Sequence, residues 1–372
     1  MTIALPAAIT RRSNARFANK AAAVEYGPVG LDLGRNGLRL VQFCKHGSEI
    51  ALHASACVPL TEAVRTSEKQ TRALIKTTLR KHGFVGRDVI SCLQPNNTET
   101  VMLSYLHQAG KQDEELIVKR MAERIEDDIQ NYVIDFMQVR PDAKDGQERS
   151  VLVSMARREL VVDYLELLRK AGLCVKVLEI EPAAIRRLVS VKHNNDAERS
   201  DNLMTVSMGH EQTYITVLSG RRLIYERDLD FGEQQLIALL CKELELDEHD
   251  ARSMLLRKTE TSVAETENSK DVSYALYSVL KPMFMVLMED INRALAYAAS
   301  ETRGMPVKQV YLTNLVATWA GIDSFMGSLI KVPVSVLMPF EDFNKEKDFH
   351  ALSDPRDAVV TGMALYGLTE AG

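Results

Sequence analysis

No stretch of this sequence approaches the roughly 18 apolar residues needed to cross a bilayer. Its N-terminus lacks the basic-then-apolar order of a secretory signal. A chain that neither spans a membrane nor is exported is expected. A surplus of basic charge is missing too. The formal net charge is −5 and the pI is near 6.0, which removes the electrostatic footprint of a nucleic-acid binder. Eight histidines form no HExxH pattern and the cysteines no paired-Cys pattern, so a metal centre of either kind is unsupported. Cys44, Cys57, Cys92, Cys174 and Cys241 are odd in number, scattered and mostly in apolar context. They read as reduced core cysteines of a cytosolic protein, not as disulfides.

Apolar residues, by contrast, make up 46% of the 372 positions, enough for two domains with substantial cores. The chain is organised around YGPVGLDLGRNGLRLVQF, residues 26 to 43. Val29, Leu31 and Leu33 lead past Asp32 and Gly34 to a turn at Arg35-Asn36-Gly37, and Leu38, Leu40 and Phe43 return. Two alternating strands joined through Asn-Gly are the strongest short-range hairpin signal. Backbone NH groups in such a turn can cradle a phosphate, and the carboxylate can hold a magnesium-bound water.

Residues 1 to about 25 carry Arg11, Arg12, Arg16 and Lys20 against Glu25. They read as a flexible tail, or as a basic arm for a partner or anionic headgroups. After the hairpin come a strand at 50–58, a helix over 62–82 ending at His82-Gly83, and a strand at 88–93. Residues 96–178 behave as an insertion. Within it are a strand at 100–106, a long charged helix at 113–132 and strands at 133–140 and 150–156. A helix at 158–171 and a strand at 173–180 complete it. Glu181-Pro182 opens a further helix, and His193 to Asp201 is a polar link. Strand, glycine turn and returning strand then recur at 204–218, which predicts two similar halves facing a cleft. Helices at 234–246 and 247–258, a polar loop at 259–271 and a long helix at 273–299 broken at Pro282 follow. Met283, Met285 and Met288 read as core filler. Strands at 310–312 and 334–337, a helix at 319–330 and a final helix at 357–366 close the chain.

Several of these stretches resemble the PilM family of type IV pilus assembly proteins, actin-like relatives of FtsA and of the cytoplasmic domain of GspL. They are VGLDLGRNGLRLVQF, SVLVSMARRELVVDYLELLRKAGLCVKVLEIEPAAIRRL (150–188), CKELELDEHDARSML, QVYLTNLVATWAGIDSFMGSLIKVPVSVLMPF and AVVTGMALYGL. The resemblance implies an α/β, bilobed actin-like fold, a ribonuclease H-like duplication with an inserted α/β subdomain. The expected domains are a tail at 1–26, a first half at 27–95 and 179–200, the insertion at 96–178, and a second half at 201–372 with a helical subdomain at about 233–307. It also implies an ATP and magnesium site built on Asp32, Gly34, Arg35, Asn36, Gly37, Arg39, Gly209 and Thr213, with Asp32 toward the metal.

The sequence departs from the family pattern at three places. Ser207 stands where the superfamily has Asp, Leu312-Thr313-Asn314-Leu315-Val316 replaces a glycine-rich adenosine turn, and Arg35-Asn36-Gly37 replaces a Ser-Ser type pair. Each lost hydrogen bond to a charged group is worth roughly 1.5–3 kcal/mol, so a degenerate nucleotide site without hydrolysis is expected.

Three functions follow from the resemblance. One is a non-enzymatic cytoplasmic scaffold of a pilus or related secretion machine, peripheral at the inner membrane. It would hold the cytoplasmic tail of a PilN-like bitopic protein and meet the assembly ATPase, with a homodimer also in view. The second is an ATP-hydrolysing enzyme using Asp32 with Glu179 or Glu181. The third is an FtsA-like filament, whose membrane helix does not follow Leu368.

Overall fold

The computed structural model describes residues 24–35, 37–108, 112–139, 148–193, 201–255, 267–319, 321–345 and 353–369. The chain opens with β1 (Glu25–Leu33), β2 (Gly37–His46), β3 (Glu49–Pro59), α1 (Glu62–Arg65), α2 (Glu68–Lys81) and β4 (Asp88–Cys92). Next come β5 (Glu99–Leu106), α3 (Asp113–Ala122), β6 (Tyr132–Gln138), β7 (Glu148–Arg157), α4 (Arg158–Lys170), β8 (Cys174–Glu179) and α5 (Glu181–Lys192). Then follow β9 (Asn202–Met208), β10 (Thr213–Ser219), β11 (Arg222–Leu229), α6 (Glu233–Leu244), α7 (Glu248–Leu255) and α8 (Glu267–Glu301). The last elements are β12 (Val307–Asn314), α9 (Ile322–Leu329), β13 (Val334–Val336), β14 (Asn344–Lys345) and α10 (Ala358–Ala364).

Two sheets repeat one topology. The first has the order β14-β3-β2-β1-β4-β8 and the second β11-β10-β9-β12-β13. In each, three antiparallel strands in chain order are followed by two parallel ones on the other side of the first strand. Short β14 alone breaks the match, pairing in parallel with β3. β5, β7 and β6 form a separate antiparallel sheet, with Ile117 and Met121 of α3 buried on its face.

Helices α5 and α10 lie between the two large sheets. One buried cluster joins Ala184, Leu188, Val360 and Met363 of that pair to Val41 and Phe43 of the first sheet and Leu203 and Leu218 of the second. The outer faces carry α2 and α4 on one side and α6, α8 and α9 on the other. Sheets that carry helices on both faces need apolar residues on both, which explains the near-continuous buried runs of β9 and β10. The close approaches are made by glycine. A Cβ on Gly30 of β1 would sit 2.2 Å from the Val360 carbonyl oxygen, and one on Gly362 would sit 2.0 Å from that of Ala184.

Several expectations are corrected. The helix over 62–82 is two helices, because Thr61 caps one start and Ser67 the next. The helix over 113–132 stops at Ala122. There Asp127 and Asp128 accept local hydrogen bonds that favour a turn, while Ile125 and Ile129 still pack on the sheet. The strand at 173–180, assigned to the insertion, is β8 and pairs with β4, and the helix before it packs against the first sheet. The long helix begins at Glu267 and runs through Pro282 without a break. Met288 is buried, but Met285 and Val286 are 47% and 62% exposed, so that stripe is not all core. Trp319 is buried ahead of α9 rather than inside it. All five cysteines are free, with Cys57 and Cys174 exposed rather than in the core. Residues 1–23, 140–147, 194–200 and 256–266, which include the tail, two polar links and most of the 259–271 loop, lie outside the described residues.

Candidate functional site: a cavity between two hairpins

The β1–β2 and β9–β10 hairpins arrive at one cavity with matching turns. Gly34 donates its NH to the Gly37 carbonyl at 3.0 Å, and Gly209 donates to that of Gln212 at 2.9 Å. The equivalence follows from the repeated topology, since each turn leaves the end of the central strand of its sheet. Between them lies a cavity of about 400 Å³ lined by Asp32, Arg39, Glu181, Glu233, Arg252 and Asn314, among others. Arg35 and Glu211, one from each turn, close an ion pair across the mouth at 2.5 Å.

Asp32, Gly34, Arg35, Gly37, Arg39 and Gly209 all line this cavity. Asn36 lies outside the described residues. Thr213 does not line the cavity; it is buried and donates its hydroxyl to the Phe231 carbonyl at 2.6 Å. Of the two glutamates weighed from sequence, Glu181 faces the cavity. Glu179 is instead held by both terminal nitrogens of Arg187 at 2.9 and 2.8 Å.

Burial dominates the electrostatics. Asp32 accepts no hydrogen bond from a described residue. Desolvation pushes its carboxyl up to about 6, opposed by Arg39 and assisted by Asp357. Glu181, the first residue of α5, receives the Ser207 hydroxyl. Desolvation pushes it up to about 7 against that bond, with Asp32 adding repulsion. Both pKa values are raised on folding, so the associated stability is full below about pH 4 and is lost as pH rises through about 6 for Asp32 and about 7 for Glu181. Asp32→Asn and Glu181→Gln should therefore stabilise the fold at pH 8, each by at most about 3 kcal/mol, and change little at pH 4. Thermal unfolding across that range reads the difference; equal gains at both pH values would mean that ionisation is not the cause.

The guanidinium groups around the cavity are already engaged. Arg39 pairs with Asp357 just ahead of α10 while lining the cavity. Arg252 holds Glu233 at 2.7 Å and Glu248 at 2.9 Å, and Arg356 holds Asp354 at 2.6 Å. A polyphosphate entering here would meet guanidinium groups whose charge internal carboxylates already balance. Asn314 takes the left-handed conformation at φ 70°. Asparagine tolerates it better than most side chains, so the turn keeps a glycine-like backbone while adding a side chain. Asn314 reaches toward Ser207 at 3.5 Å, and Leu315 lines the wall. Among the described residues, no three His, Cys, Asp or Glu side chains converge as a metal ligand set. Two carboxylates and two turns fit a hydrated divalent cation in part; the occupied arginines fit a nucleotide's phosphates poorly.

Glu233 and Arg252 also line the cavity, and the sequence alone does not single them out. The Gly232-Glu233 start of α6 carries a signal in hindsight, since a Cβ on Gly232 would meet the His210 carbonyl oxygen at 2.5 Å. Arg252 and Arg356 gave none.

Two lobes of one ribonuclease H-like topology, each sending a hairpin to a shared cavity, define an actin-like protein. Residues 30–367 match the family model described as type IV pilus assembly protein PilM, and the chain belongs to that family. The fold is similar to a solved PilM-PilN type IV pilus biogenesis complex, with 24% identity, TM-score 0.72, and coverage of 92% of this chain and 99% of that one. It is also similar to the ethanolamine utilization protein EutJ from Carboxydothermus hydrogenoformans, at 14% identity and TM-score 0.52 over 94% and 92% of the two chains. No described helix is long and apolar enough to cross a membrane.

Proposed function

We propose that this chain is a cytoplasmic scaffold of a type IV pilus or related secretion machine, peripheral at the inner membrane through its partners. It would capture the cytoplasmic tail of a PilN-like membrane protein and meet the assembly ATPase. The observation that carries this reading is family membership in a chain whose cavity arginines are already paired. Ser207 holding Glu181 adds to it. The tail's natural seat is the inserted sheet, a subdomain by this reading, where β6 is an outer strand. Backbone groups on such an edge pair with an added strand.

Calorimetry with a PilN-like tail peptide tests this. Val133 and Asp135 point outward on β6, and replacing both with Arg should weaken the peptide by at least about tenfold, some 1.4 kcal/mol. Asp32→Ala should leave it within a few-fold. Loss of tail binding in a folded Asp32→Ala protein would put cavity occupancy in control of the scaffold. A second reading, nucleotide binding, is favoured by the matched hairpin turns. Titration of ATP and ADP with magnesium separates the two: no heat at millimolar nucleotide supports a cavity kept for shape, and micromolar binding overturns it.

A further inference from the structure

At the end of the first lobe opposite the cavity, the strand starts gather. β1 begins at Glu25 beside the end of β2, and β4 and β8 begin together at Asp88 and Cys174. The loop after α2 is fastened there, because Gln42 of β2 bonds the carbonyl oxygens of Gly27 and Val85 and accepts the Val85 NH. Tyr26 sits edge-on to His53, which bonds Gly83. Around this seam three apolar side chains stay in solvent: Val24, Tyr26 and Val85 are 38%, 41% and 40% exposed.

The same end is cationic in a protein of net charge −5. Helix α2 carries Lys69, Arg72, Lys76 and Arg80 along one stripe, at helical spacings of three and four, and its last turn brings Arg80 to this end. Lys81 and Arg87 extend it into the loop. Lys69, Lys76, Arg80, Lys81 and Arg87 have no ion-pair partner among the described residues. The acids nearby are engaged: Glu68 meets Arg72 and Lys170, and Asp88 meets Lys176. Glu25 lies opposite Lys45 in the ladder. In sequence, Val24 is preceded by Arg11, Arg12, Arg16 and Lys20 with no acid before Glu25.

We infer that this end of the first lobe is a docking surface for anionic lipid headgroups. Unpaired Lys and Arg supply attraction to a negative leaflet, and an exposed Tyr flanked by two valines is side-chain chemistry suited to the bilayer interface. An acidic protein partner would use the cations but leave the apolar trio without a role. The surface lies away from the cavity, so a scaffold seated on it keeps the cavity and inserted sheet accessible.

The test is co-sedimentation of the full chain with phosphatidylcholine vesicles, with and without about a third phosphatidylglycerol. Binding only to the anionic vesicles, weakening from 50 to 300 mM salt as the Debye length falls about 2.4-fold, is expected. The variant Lys76→Glu, Arg80→Glu, Lys81→Glu, all at exposed positions, should lower the partition about 100-fold. Val85→Ser should lower it several-fold while leaving the salt dependence. Full binding by the triple variant overturns the assignment, as does equal partition onto neutral vesicles. So does complete loss in a chain carrying R11Q, R12Q, R16Q and K20Q with the α2 stripe intact. Capture of poly-glutamate with no vesicle binding also overturns it in favour of an acidic protein. Tail-peptide affinity measured alongside keeps failure here distinct from failure of the scaffold reading.

Discussion

Arg187→Ala is expected to lower folding stability by about 3–5 kcal/mol, a large fraction of the 5–15 kcal/mol typical of a domain. Arg187 and Glu179 are only 5% and 8% exposed at the side chain. The guanidinium grips that carboxylate with two bonds, donates to the Gly362 carbonyl at 2.8 Å, and lies 4.9 Å from the centre of the Tyr366 ring. Removing it leaves a buried carboxylate and a helix carbonyl without their donor. The damage is therefore the unpaired charge, not the lost attraction. Arg187→Met combined with Glu179→Leu should recover most of the loss, because the pair leaves together. Urea unfolding of the parent, the single and the double variant decides it. A double variant no better than Arg187→Ala would show that the bond to Gly362 matters more than the ion pair.

Gly362→Ala is expected to cost at least about 3 kcal/mol, at or above the top of the usual range for overpacking. The obstruction is backbone: the new methyl would lie 2.0 Å from the Ala184 carbonyl oxygen and 2.5 Å from its carbon. No rotamer change relieves that, so α10 has to lift from α5 and loosen the cluster shared by both sheets. Loss of soluble protein is the severe form of the same result. A soluble variant within about 1 kcal/mol of the parent in urea would mean that α10 slides easily, against the close packing of interiors. A control at Gly83, where φ is +74° and nothing lies within 4 Å, separates steric cost from backbone strain.

Local chemistry was legible in the sequence; long-range company was not. The first hairpin showed through its Asn-Gly turn and alternating residues, and its echo at 204–218 revealed the duplication. The run at 173–180 reads as a strand, but nothing local says that its partner is β4. The short polar β14 has no apolar signature at all. In the cavity, Asp32 and the two glycine turns were readable because turn chemistry is local. The partners that decide their behaviour were not: Arg39 meets Asp357 from 318 positions away, and Arg35 meets Glu211 from 176. The helix over 113–132 reads too long because Ile125 and Ile129 keep helical spacing while Asp127 and Asp128 bend the backbone between them.

The contact of Gly362 with Ala184 also bears on how the halves of the molecule are coupled. Two helices touching backbone to backbone at a point resist sliding, because any translation drives a side-chain ridge into the neighbouring chain. Gly30 of β1 meets Val360 nearly as closely, so α10 is held on two sides at once. The helix pair is thus clamped to the strand whose turn carries Arg35 at the cavity.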